Sequence, residues 1–195
     1  MGNRVIAGVD EAGRGPLAGP VVAAAVVLTP SQLDALAALG LNDSKKLTPL
    51  KREKIFKAMV SLGVAWRAQA ASPRRIDQMN ILQATLWAMS RSVNKLPHVF
   101  EEVIVDGSVL IPGLRSYPQK AIPKGDSLVP EVAAASVVAK VLRDRAMVAL
   151  DMAYPQYNFA KHKGYPTEDH RRRITEFGLS PIHRRSFTWK TVSPE

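Results

Sequence analysis

The chain has no cysteine among its 195 residues. That excludes disulfides, thiolate zinc sites and cysteine nucleophiles together, and it agrees with the reducing cytoplasm expected as its location. Long apolar stretches are missing as well. The run from Val21 to Leu28 suits a buried strand and falls far short of the ~20 residues of a membrane-spanning helix, so no membrane association is expected. Met1 to Gly8 leads straight into patterned sequence and carries no signal peptide. Gly2 lacks a partner for myristoylation, because position 6 is Ile and not Ser or Thr. Histidine is scarce: residues 98, 162, 170 and 183 are the only four, and no two have the spacing of a helical zinc motif. Neither a Gly-x-x-x-x-Gly-Lys-Ser/Thr loop nor a Gly-x-Ser-x-Gly elbow is present, so nucleotide triphosphatase and esterase chemistry have no support.

Negative charge is the other shortage. Asp and Glu number 17 against 27 Lys and Arg, a net charge of +10 with a pI near 10.1. An excess of this size points to a polyanionic partner, above all nucleic acid. From Lys161 onward eight Lys or Arg face four acids, so part of the excess is concentrated near the C-terminus. A basic surface serving only solubility is the plainer alternative on charge alone.

No repeat, low-complexity tract or linker divides the chain. Val5 to Val9 and Pro20 to Leu28 read as strands joined by a turn rich in Gly and Pro. Helices are expected over Ser31–Leu39, with Ser31 as N-cap, and over Thr48–Leu62. Gly63–Ala71 reads as a strand, and Ser72-Pro73 opens a helix to about Asn94. Glu102–Asp106 and Tyr117–Ile122 are expected strands, Ser127 to about Met152 the longest helix, and Thr167 to about Phe177 a short basic one. The alternation indicates an α/β fold, a mixed sheet with helices on both faces.

The acids that remain are placed suggestively. Asp10 and Glu11 directly follow the first strand, Asp106 ends Val103-Ile104-Val105, and Asp126 stands just before the long helix. A carboxylate beside an apolar strand is costly unless it is paired or holds a cation. If the first and fourth strands are neighbours, Asp10 and Asp106 project from adjacent ends. An all-oxygen set suits Mg²⁺ or Mn²⁺, and two such ions suit phosphodiester hydrolysis. Taken singly, each acid is better read in a plainer role: Asp10 capping a turn, Asp106 ending a strand, Asp126 capping the helix. Gly13-Arg14-Gly15 follows two residues later, able to offer backbone N–H groups and a guanidinium to a phosphate. On these residues two other readings stay open: a basic nucleic-acid-binding module without metals, and a nuclease or integrase of the same acidic logic acting on DNA only.

In order along the chain stand Gly8-Val9-Asp10-Glu11-Ala12-Gly13-Arg14-Gly15-Pro16, Asp43-Ser44-Lys45-Lys46-Leu47, Ile76-Asp77-Gln78-Met79-Asn80-Ile81, Val105-Asp106-Gly107 and Lys124-Gly125-Asp126. Ala134 to Asp144, His162-Lys163-Gly164-Tyr165-Pro166-Thr167 and His183-Arg184-Arg185-Ser186-Phe187 follow. Together these segments resemble the type 2 ribonuclease H family, bacterial ribonuclease HII. The resemblance implies a ribonuclease H-like mixed β-sheet flanked by helices, with a catalytic core over residues 1–155 and a small basic C-terminal helical lobe over 156–195 within the same domain. It implies a monomeric endonuclease acting on RNA/DNA hybrids and on single ribonucleotides in duplex DNA. Cleavage would fall on the 5′ side of the ribonucleotide, leaving a 5′-phosphate, in the removal of misincorporated ribonucleotides and RNA primers. Asp10, Glu11, Asp106 and Asp126 fall on the family's catalytic metal ligands, for two Mg²⁺ or Mn²⁺ ions. Gly13, Arg14 and Gly15 fall on the motif that reads the RNA–DNA junction, and Tyr165 on the tyrosine that stacks on the following deoxyribose. Lys45 and Lys46 are candidate phosphate contacts. Asp144 is expected to pair with a neighbouring base, and His183 to be structural. The early position of Asp10 argues against the extra N-terminal domain of ribonuclease HIII, and the tail shows no recognisable clamp-binding peptide.

Overall fold

In the computed structural model, residues 4–41, 47–97, 100–114 and 116–189 are described. The two apolar runs around the Gly- and Pro-rich connection form β1 (Ile6–Ala12) and β2 (Val21–Val27), paired antiparallel. β3 (Ala65–Ala71) adds antiparallel to β2, whereas β4 (Glu102–Asp106) and β5 (Gln119–Ile122) add parallel on the other side. The sheet order is β3-β2-β1-β4-β5. The expected mixed sheet is therefore present, with β1 at its centre.

Every residue of β2 is buried, which explains its unbroken apolar sequence: both faces are covered. Ala23, Ala25 and Val27 face α3 (Pro73–Asn94), and Ala24, Val26 and Leu28 face the opposite layer. That layer holds α1 (Pro30–Ala38), α2 (Pro49–Ser61) and α4 (Pro130–Ala153). Small residues let α4 lie close on the sheet: Ala133, Ala134, Ala135 and Ser136 are all buried. At its start the fit admits no side chain below, since a Cβ on Gly8 would fall 2.2 Å from the carbonyl carbon of Glu131. Beyond α4, a 3₁₀ turn (Pro155–Tyr157) and α5 (Phe159–His162) fold back on Ala18 and Met147, and α6 (Glu168–Phe177) packs on that turn.

Element ends depart from expectation where a local hydrogen bond outbids the pattern. Thr29, not Ser31, caps α1, through a capping box with Gln32. α4 begins at Pro130 and not at Ser127, because Gly125–Ser127 is a separate 3₁₀ turn. The long helix over 73–94 is broken at Asn80, whose φ of 65° interrupts it while its side chain caps the second half through the Gln83 N–H at 3.0 Å.

Candidate active site

The parallel register of β1 on β4 pairs Val9 with Val105, so the next step along both strands sets Asp10 beside Asp106. The two acids leave adjacent strand ends, as their positions suggested. Asp106 Oδ1 accepts the Gly125 N–H at 2.7 Å. This bond draws the 3₁₀ turn, and with it the buried Asp126, to the same end of the sheet. Ser127 Oγ donates to Asp126 Oδ1 at 3.4 Å. Among the described residues no three acidic or imidazole groups are disposed, as they stand, to hold one metal ion.

Burial is the main electrostatic influence on these acids, with like-charge repulsion behind it. Burial, then the charges of Glu11 and Asp106, raises Asp10 to a pKa of about 8. Burial also raises Glu11, against the lowering effect of Arg14, whose Nη1 lies 3.3 Å from Glu11 Oε1. Such a donor set favours the arrival of positive charge, and its oxygens are the hard ligands that Mg²⁺ and Mn²⁺ prefer. Two residues of α4 already serve the acids in part. Ser136 hydrogen-bonds Asp10, Lys140 Nζ donates to Ser136 Oγ, and the lysine charge lowers both Asp10 and Glu11. Neither was singled out from sequence, although a Ser and a Lys four apart on a helix of small residues share one face.

The Gly-Arg-Gly turn and Tyr165 also meet. A Cβ on Gly15 would lie 3.9 Å from Tyr165 Cε1, and the ring is half exposed, not a core aromatic. The Arg143 guanidinium lies 5.7 Å from the Tyr165 ring centre. Glu11, Gly13, Lys140, Arg143, Lys163 and Tyr165 line a groove of about 830 Å³ that continues between α2 and α4. Asp144 lines the same groove and pairs with Arg52 at 3.5 Å, the pairing with a neighbouring base that was expected of it. Lys45 and Lys46 lie outside the described residues.

The largest omission of the sequence reading is a pair of buried arginines. Arg143 donates to the carbonyls of Pro20, Ala18 and Lys163, and Arg184 to those of Gly19, Arg14 and Gly13. Burial, then the charge of Arg143, lowers Arg184 to a pKa of about 9. The sequence signal was present in the Arg143-Asp144 and His183-Arg184 motifs, but arginines read as surface charge until the fold is known.

A mixed sheet of this order, helices on both faces and acids at the ends of its two central parallel strands define a ribonuclease H-like fold. The ribonuclease HII family model matches residues 7–191. The chain is 49% identical over 184 residues to ribonuclease HII of Francisella philomiragia, covering 94% of this chain and 96% of that one. Among solved structures, ribonuclease H2 from Pyrococcus horikoshii superposes with a TM-score of 0.78 at 29% identity, covering 94% and 93% of the two chains. Ribonuclease HII from Archaeoglobus fulgidus, solved as a complex with PCNA, gives 0.78 at 26% identity, covering 97% and 98%. The chain belongs to the ribonuclease HII family and is a ribonuclease H.

Proposed function

We propose that this enzyme hydrolyses the phosphodiester on the 5′ side of a ribonucleotide, in RNA/DNA hybrids and at single ribonucleotides embedded in duplex DNA. The observation that carries this reading is the adjacency of two sets of groups. Asp10, Glu11 and Asp106 stand at one sheet end, and Gly13–Gly15 faces Tyr165 directly beside them. Hydrolysis requires the first set, and telling RNA from DNA requires a group near the scissile bond that senses the 2′-hydroxyl.

Asp10, Glu11, Asp106 and Asp126 would hold two Mg²⁺ or Mn²⁺ ions, which when bound supply an activated water and neutralise charge on the leaving oxygen. Water oxygen adds to phosphorus and the bond to the preceding 3′-oxygen breaks. A 3′-hydroxyl is left upstream, and a 5′-phosphate on the ribonucleotide. Amides of Gly13–Gly15 and the Arg14 guanidinium would hold the phosphate and the 2′-hydroxyl, and the exposed Tyr165 ring would stack on the next deoxyribose. The basic groove would carry the duplex, so binding should weaken steeply with salt. Such cleavage opens the way to removing misincorporated ribonucleotides and RNA primers.

The test is a DNA duplex carrying one ribonucleotide, incubated with Mg²⁺ or Mn²⁺ beside an all-DNA duplex of the same sequence. Cutting of the first alone, at its 5′ side, is expected, and Asp106→Asn should suppress it while duplex binding persists. Equal cutting of both duplexes would favour a DNA nuclease of the same fold, and undiminished cutting by Asp106→Asn would remove the metal assignment.

A further inference from the structure

Four observations meet at two consecutive residues near the C-terminus, His183 and Arg184. Arg184 Nη2 donates to the Gly13 carbonyl at 2.6 Å and Nη1 to the Arg14 carbonyl at 2.8 Å, while Nε reaches Gly19 O at 3.0 Å. No peptide bond in the described chain is cis. In a trans peptide the N–H points opposite to the C=O of the preceding residue. Carbonyls 13 and 14 turned toward Arg184 therefore direct the N–H groups of Arg14 and Gly15 away from it. Gly15 is exposed there, against the Tyr165 ring.

His183 works in the other direction. The Ser180 N–H donates to His183 Nδ1 at 2.9 Å, so that nitrogen carries no proton. The proton is then on Nε2, which donates to His170 Nε2 at 3.0 Å. His170 in turn presents Nδ1–H to the Tyr165 carbonyl at 2.9 Å. Each link leaves one protonation pattern for the next, and the series ends on the backbone of the tyrosine. The segment that bears both residues is anchored from behind, because Asp77 accepts the N–H groups of Arg185 and Ser186 at 3.1 and 3.0 Å. It is anchored from the front by the Arg184 N–H on Leu17 O at 2.8 Å.

Resting on the functional reading above, we propose that His183 and Arg184 are specificity-positioning residues. Arg184 aims the turn's amide donors, His183 holds Tyr165 through His170, and their shared peptide couples the two junction-reading elements, beside the direct ties of Arg143 to the Ala18 and Lys163 carbonyls and of the Leu17 N–H to Gly164 O. Neither residue need touch substrate. The pair would make recognition of a ribonucleotide followed by a deoxyribonucleotide depend on two consecutive residues, whose Cα atoms lie about 3.8 Å apart across their trans peptide.

The experiment uses the full chain and two readouts, applied to Arg184→Met, Arg184→Lys, His183→Ala and His183→Gln. Amide hydrogen exchange tests the tethers without reference to catalysis. Both Arg184 variants should speed exchange most in segment 13–19, on the order of tenfold, and His183→Ala most in segment 163–167, each with a smaller effect on the other segment through the Leu17 N–H to Gly164 O bond. Arg184→Lys keeps the charge without the fork and covers the case in which Arg184→Met does not fold. Cleavage is then compared on the single-ribonucleotide duplex and on an RNA/DNA hybrid. His183→Ala should lower kcat/KM on the former more than on the latter, on the order of tenfold in the ratio, with His183→Gln recovering part of it. Arg184→Lys should lower kcat on both. Exchange that rises uniformly through the molecule, or in neither segment, overturns the tethers. Selective exchange with an unchanged substrate ratio overturns the role in specificity. If the unaltered enzyme cuts neither substrate, the functional reading fails while the exchange pattern still decides the tethers.

Discussion

Gly13 and Arg143 compete for one space: a Cβ built on Gly13 would fall 1.9 Å from Arg143 Nε. The arginine cannot swing aside cheaply, because its guanidinium is tied to the Pro20, Ala18 and Lys163 carbonyls. Gly13 also has φ of +93°, a backbone region that side chains disfavour. Gly13→Ala should therefore cost on the order of 2–3 kcal/mol in stability and most of the cleavage activity. Urea unfolding and single-turnover cleavage check this, and a variant with wild-type stability would show that Arg143 relaxes freely.

Arg14 is the turn residue free to move, its side chain 51% exposed and paired with Glu11 across 3.3 Å. Arg14→Ala should reduce cleavage and junction preference together, since on the proposed reading one turn would serve phosphate and hydroxyl. Competition between single-ribonucleotide and hybrid substrates measures the preference. A uniform loss of affinity for every duplex would instead mark a generic phosphate contact.

The acid site should be bought at the expense of stability. Asp10 has a folded pKa of about 8 against an ordinary 3.8. The folded state thus holds its proton more tightly than the unfolded chain, and stability declines as pH rises from the lower value to the upper. Asp10→Asn removes that ionisation. At neutral pH, with chelator present, the variant should be more stable by about 1–2 kcal/mol and inactive in cleavage. Added Mg²⁺ should narrow the gap by stabilising only the unaltered protein. Thermal unfolding with and without Mg²⁺ is the measurement, and a less stable Asp10→Asn variant would refute the assignment of strain.

His170 and His183 give a pH dependence of the opposite sign. Burial lowers both to about 4 from the usual 6.5, so the unfolded chain takes up these protons first. Their contribution is complete above the unfolded pKa and is lost as pH falls toward the folded one. Each imidazole could contribute on the order of 3 kcal/mol over that range. Because burial raises Asp10, Glu11 and Glu131, which trend the other way, urea midpoints are best compared at pH about 7.5 and about 5 in an Asp10→Asn, Glu11→Gln, Glu131→Gln background. A midpoint that does not fall at the lower pH would contradict the buried neutral pair.

The legible parts of this protein were the local ones. An apolar run ending in Asp10-Glu11, and another ending in Asp106, announced both strands and the acids on them, since strand burial and the charge that interrupts it lie in the same few residues. Pairing of β1 with β4 was needed to join them, and the ribonuclease HII motifs supplied what spacing could not. Two helix features were misjudged for a definite reason. At Asn80 and at Gly125–Ser127 the chain satisfies its hydrogen bonds by a local turn inside an otherwise helical pattern. Arg143 and Arg184 escaped notice because nothing in the sequence shows that six carbonyls from distant segments await them.

The Arg184 bond to the Arg14 carbonyl spans 170 residues of chain, and this separation has a meaning in time. Synthesis proceeds from the N-terminus, and all five strands have emerged before Arg184 does. A growing chain can thus assemble its central sheet and bring Asp10 to Asp106 while the turn at Gly13 still lacks its guanidinium. On the proposed reading, the capacity to cut and the capacity to choose would be completed at different moments of translation, the second last.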